Sequence, residues 1–219
     1  MSLEEVAEER IRGYGYKGGL DATLFDFWER SRAKPPVFAE HSLRVALMAE
    51  AVAGAFSLDP RGAFAAGFLH DIGKLHYPGQ LLDGENIEDQ EVLGAISWHS
   101  IIGYQELKDK HLLCAFVAGT HHEQRSFARY GVLQSNVASV PLISQRRMAQ
   151  YWAAIVGICD SLDASLFRRS ISAGFEEGPC QGIKAQYGRN SSFAELVVQI
   201  SQEVLRQNGF LLCCGQSRV

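Results

Sequence analysis

The chain has 219 residues, 21 Lys+Arg against 25 Asp+Glu for a formal net charge of −4, and 47% hydrophobic content. That is the composition of a soluble globular protein with a sizeable core, and it excludes intrinsic disorder and a low-complexity or collagen-like chain. The slight acidity and the absence of a long Lys/Arg block exclude a dedicated nucleic-acid coat.

Residues 1–36 start helical, with the acidic run MSLEEVAEER, and turn loop-like around Gly13, Gly15, Gly18 and Gly19. They are expected to pack on the core as an appendage. A secretory signal has the opposite order, basic then apolar. Pro35-Pro36 forms a stiff entry to a helix over Phe38–Phe56, whose Phe38, His41, Val45, Met48, Val52 and Phe56 share one buried stripe. Leu58 to Gly62 punctuates the chain, and Ala63–Leu69 reads as a short buried helix. Ile72-Gly73-Lys74 leads into a loop around Pro78-Gly79, with a further turn at Asp83-Gly84. Two more helices follow over Ile87–Trp98 and His111–Thr120.

Between Gln124 and Gln145 no period is clear, so this stretch reads as a long loop or a loop with a short helix. Arg146–Phe167 is the longest late helix, with Trp152, Ile155, Val156 and Cys159 on its core face. Phe193–Asn208 closes the chain as an amphipathic helix. With no repeat and no hairpin signal, the prediction is an all-α, compact multi-helix bundle over residues 37–208, followed by a tail at 209–219. No run approaches the ~18 apolar residues of a spanning helix, so no membrane partner is expected. Five cysteines without a CxxC pair, with Cys114 and Cys159 inside apolar runs, predict a reducing cytoplasm and no disulfide framework.

Five of the seven histidines and two aspartates fall at apolar helix positions or helix ends: His41, His70-Asp71, His99 at the end of its helix, His121-His122 and Asp160. Singly, each reads as a hydrogen-bonded core residue, Asp71 as a local cap and Asp160 as a carboxylate paired with an arginine. Together they cost several kcal/mol to bury unless mutually satisfied. Divalent cations satisfy neutral imidazoles and ionised carboxylates at once. His76, in a loop, reads as a surface residue near the pocket edge. His111 reads as solvent-facing, and Trp98 and Tyr104 as packing residues.

The order His41, His70-Asp71 in HDIGK, then Asp160 resembles the HD-domain metal-dependent phosphohydrolases. With His99 and His121-His122 the set is similar to the dinuclear branch, closest to the HD-GYP cyclic-di-GMP phosphodiesterases. The stretches FLHDIGKLHYPGQLLDG, WHSIIGYQEL, THHE and AIVGICDSLDASLFRR carry the likeness. The resemblance implies two divalent transition-metal ions, iron or manganese favoured over zinc, nickel or cobalt. His41, His70, Asp71 and Asp160 would hold one ion. Asp71 would bridge to a second, completed by His99, His121 and His122. A hydroxide shared by the ions would attack phosphorus, with Lys74 on a phosphate oxygen and Arg168 or Arg169 as a second phosphate contact.

The implied substrate is a nucleotide or cyclic dinucleotide. The alternatives are an HD-type single-strand nuclease and a non-catalytic HD signalling module. Two departures from the family pattern stand out. After His121-His122-Glu123 the chain reads QRSFARYG where relatives carry a GYP loop, and Val37 stands where trinuclear members supply a carboxylate.

Overall fold

The structure is a computed structural model, and it describes residues 2–82, 96, 98–122, 143–167, 179–188 and 191–210. All regular structure among these is helical, and they contain no strand. The α-helices are α1 (Leu3–Gly13), α2 (Leu20–Arg32), α3 (Pro36–Ala55), α4 (Pro60–Leu69), α5 (His99–Leu107), α6 (Leu112–Thr120), α7 (Ile143–Phe167), α8 (Pro179–Tyr187) and α9 (Ser191–Gln207). A short 3-10 helix, Ile72–His76, follows α4, and another spans Gly79–Leu81.

Local chemistry sets the starts. Ser2 and Glu5 close a reciprocal capping box on α1, the Ser2 hydroxyl accepting from the Glu5 amide at 3.2 Å. Asp59 caps α4 by accepting from the Arg61 amide at 3.1 Å, with Pro60 in the first turn, and Pro36 opens α3. Gly19 enters α2 at φ 78°, in the left-handed region that a glycine tolerates.

Helix α3 is the central post. The predicted stripe is present, but burial extends well around it, taking in Leu43, Ala46, Leu47, Ala49 and Ala53. Helices α2, α4, α7 and α9 all pack against it. Phe56 departs from the expectation: it is the residue that ends α3 and is 38% exposed, resting on Phe193 of α9. The aromatic centre joins Phe27 of α2 to Phe68 of α4 edge-on at 5.3 Å, with Phe64 stacked on Phe68. Ala7, Ile11, Leu24 and Phe27 of α1 and α2 are buried in that same core.

The sequence-predicted helices over 38–56, 63–69, 111–120, 146–167 and 193–208 correspond to α3, α4, α6, α7 and α9. The chain after Asp71 is tighter than the loop expected there, a 3-10 turn instead of open chain. Helices α2, α5 and α8 were not foreseen. Most of the Ile87–Trp98 helix, the Asp83-Gly84 turn, the QRSFARYG stretch and most of the 124–145 segment lie outside the described residues. Cys114 and Cys159 are buried free thiols, as predicted. No helix among the described residues is long and apolar enough to cross a membrane.

Candidate metal centre

The five histidines and two aspartates come from separate elements and converge at one end of the bundle. His41 is on α3 and Asp160 on α7, both mid-helix. His70 ends α4, Asp71 opens the 3-10 turn, and His121 ends α6 with His122 directly after it. His99 directly follows Trp98 and is the first residue of α5, a helix end as its sequence position suggested. The carbonyl ends of α4 and α6 thus aim their partial negative charge at the cluster, which favours cations there.

Two close backbone approaches hold this convergence. A Cβ added to Gly73 would lie 2.0 Å from the His99 carbonyl oxygen, so only glycine lets the 3-10 turn meet α5. A Cβ on Gly157 would lie 2.1 Å from the His121 carbonyl oxygen, which seats α7 against the end of α6.

Asp71 is central. Its Oδ2 lies 3.5 Å from His41 Nε2 and 3.3 Å from His70 Nε2, and its Oδ1 lies 3.3 Å from His99 Nε2 and 4.0 Å from His121 Nε2. One carboxylate oxygen therefore faces each of two donor groups: His41 with His70, and His99 with His121 and His122. Within each group, Asp71 counted with the first, the donor atoms lie within 4.8 Å of one another. Asp160 stands between the groups, 3.4 Å from His41 Nε2 and 3.8 Å from His122 Nδ1. His122 Nε2 and His99 Nε2 are 3.2 Å apart.

The outer nitrogens explain the aim of the inner ones. His70 Nδ1 donates to the Gly67 carbonyl at 2.7 Å, His99 Nδ1 to Ile96 at 2.6 Å, and His121 Nδ1 to Ala118 at 3.0 Å. A carbonyl only accepts, so each Nδ1 carries the proton and each Nε2 presents a lone pair to the centre. His41 Nδ1 instead meets Asp163 Oδ2 at 2.6 Å.

Burial, seconded by the Lys74 ammonium, pushes the His99 imidazole down to about 4, and burial holds His121 well below the ordinary histidine value. Burial alone would raise Asp71, but the neighbouring His70 ring and the Lys74 ammonium outweigh it and keep the carboxyl well below its usual range. Neutral rings and an ionised carboxylate are the ligand forms.

The fit to divalent cations is direct. His70 Nε2, His121 Nε2 and Asp71 Oδ1 are buried without a hydrogen-bond partner among the described residues. Acceptor atoms left this way are costly unless a cation takes them. The Asp71 side chain makes no cap hydrogen bond, so the local-cap reading fails.

Lys74 is buried and pairs with Asp71 Oδ2 at 2.5 Å, one turn of 3-10 helix away. Arg168 and Arg169 lie outside the described residues. His76 is a surface residue, paired with Glu106 at 2.9 Å. His111 is not simply solvent-facing: it is half-buried, and its Nε2 contacts Thr23 Oγ1 at 2.9 Å. Tyr104 is a packing residue, whereas Trp98 is 55% exposed beside His99 and packs far less than expected.

Asp163 and Arg44 escaped the sequence reading. Both are buried, and Arg44 Nε donates to Asp163 Oδ1 at 2.6 Å. The available signal was their spacing: Arg44 follows His41, and Asp163 follows Asp160, by three residues, on the same helix faces.

Comparison with known families matches the HD domain over residues 38–165. The chain belongs to the HD-domain family. Among solved structures, the HD domain of the L. monocytogenes phosphodiesterase PgpH in complex with cyclic-di-AMP is similar at TM-score 0.55 and 21% identity. That likeness covers 84% of this chain and 97% of that one. A second structure of the same PgpH domain is similar at TM-score 0.54 and 21% identity, over 84% and 98%. At that identity the likeness is one of fold. Comparison with curated proteins found no match.

Proposed function

We propose that this HD-domain protein is a metal-dependent phosphodiesterase that hydrolyses a cyclic dinucleotide or related nucleotide phosphoester at a dinuclear centre. The observation that carries the reading is Asp71, with one oxygen toward His41 and His70 and the other toward His99 and His121. His41, His70, Asp71 and Asp160 would hold one ion, and Asp71, His99, His121 and His122 the other. The mixed imidazole and carboxylate donors suit iron or manganese, as well as zinc, nickel or cobalt. Ions bound there supply acidification of water toward neutral pH and neutralisation of charge on the phosphoryl group.

The chain's own residues do the rest. The Nδ1 hydrogen bonds keep the imidazoles in the donor tautomer. Burial excludes bulk water from the Asp71 carboxylate. The Lys74 ammonium, resting on Asp71, is the group within reach for a phosphate oxygen, and Arg168 or Arg169 would add a second contact. A cyclic-dinucleotide substrate is supported by the PgpH HD domain having been solved with cyclic-di-AMP. Kinship with the HD-GYP branch rests on the five-histidine, two-aspartate set. We place the catalytic unit at residues 37–208, with 1–36 appended and 209–219 as a tail, in the cytoplasm, where the buried free thiols of Cys114 and Cys159 stay reduced.

Elemental analysis of the purified chain after manganese loading, with a panel of cyclic and linear dinucleotides, tests this. Two ions per chain and metal-dependent cleavage of a cyclic dinucleotide are expected. A fully loaded chain that cleaves no member of the panel overturns the reading.

A further inference from the structure

His41 is held differently from its neighbours. His70 and His121 donate Nδ1–H to carbonyls of their own last helical turns, groups that a helix end leaves open. His41 lies inside α3, where the preceding carbonyls already serve the helix, so its Nδ1 needs a side-chain acceptor. That acceptor is Asp163 of α7, 2.6 Å away. Asp163 is in turn gripped by Arg44 through Nε at 2.6 Å and Nη2 at 3.1 Å. Arg44 lies over the Phe167 ring at 4.1 Å and within 5.8 Å of Phe210, and bonds Glu40 at 3.3 Å.

Packing does not call for this arrangement. A buried ion pair is commonly replaceable by apolar side chains of similar volume without loss of stability. Two charged groups fixed at one ring nitrogen therefore point to that ring.

We propose that Asp163 and Arg44 are positioning residues that fix His41 as a donor to the cation site. Asp163 orients the ring and selects its tautomer, and Arg44 holds Asp163 in register. Neither reaches the site itself. Both act through His41, whose Nε2 faces Asp71 and Asp160 at 3.5 and 3.4 Å. The inference rests on the reading of this cluster as a cation site.

The test compares the parent chain, Asp163→Asn, and the double variant Asp163→Leu with Arg44→Met, which removes both charges together. Titration with Mn2+ alone gives affinity. Nitrogen-15 imidazole spectra of the metal-free protein, assigned with His41→Gln, give the tautomer. Melting curves report the fold. The double variant is expected to melt cooperatively, to bind Mn2+ about 10–100-fold more weakly, and to lose the Nδ1–H preference of His41. Asp163→Asn keeps an acceptor and is expected between the two. A folded double variant with affinity within about twofold of the parent and an unchanged His41 tautomer overturns the proposal. Loss of the fold in the double variant also overturns it, because the pair is then a strut between α3 and α7. A parent chain that binds no Mn2+ sinks the cation reading instead, while the tautomer comparison still judges the role of Asp163.

Discussion

The two halves of the centre are built by different means. On the α4, α5 and α6 side, His70, His99 and His121 hang from main-chain carbonyls, and Gly73 and Gly157 set the backbone spacing. On the α3 and α7 side, His41 is aimed by side chains, Asp163 and behind it Arg44. The first half is specified by where helices begin and end, so few side-chain changes disturb it. The second depends on two residues and is open to single substitutions.

Asp71 belongs to both halves, and its loss should have the largest effect. Asp71→Ala is expected to abolish stable metal loading and lower turnover by about a thousandfold, some 4 kcal/mol, in metal-saturated assays. Lys74→Met leaves both halves in place. Turnover should fall by about a hundredfold while elemental analysis still finds the parent's metal content. Gly157→Ala attacks the seam between the halves, by forcing the His121 carbonyl away from α7. It should cost about 1–3 kcal/mol in urea unfolding and weaken Mn2+ binding.

Acid acts on two rings of the carbonyl-held half, His99 and His121. In metal-free chain His99 and His121 resist protonation when folded, chiefly because they are buried, whereas the unfolded chain protonates near the ordinary imidazole value of 6.5. The unfolded state then binds more protons, so stability is complete above that value and declines as pH falls from there toward 4. The slope is roughly 1 kcal/mol per pH unit for each ring, and urea midpoints at several pH values in chelator measure it. The smallest expected effect is that of Phe210→Ala, which removes one ring from Arg44. About 0.5–1 kcal/mol of stability should go, with metal affinity nearly kept.

The centre was readable from the sequence because its residues are chemically out of place. Histidine and aspartate inside runs such as AAGFLHDIGK and YWAAIVGICD need a partner, and all seven so marked meet in the structure. Long apolar periods likewise marked α3, α4, α6, α7 and α9. Helix α2 was hidden by the glycines before it, and α5 by a polar and aromatic mixture without a clear stripe. Arg44 and Asp163 were hidden for another reason. A lone charge on a helix reads as solvated, and only the side-by-side approach of α3 and α7 buries these two against each other.

Trp98 carries a practical consequence. Of the three tryptophans, Trp28 and Trp152 are buried and Trp98 alone is half exposed, one residue from His99. Its indole is therefore an intrinsic optical probe next in sequence to a donor of the centre: acrylamide reaches it selectively, and a paramagnetic ion held by His99 dims it. Loading of the site can be followed by emission in unlabelled protein, with Trp98→Phe as the silent control.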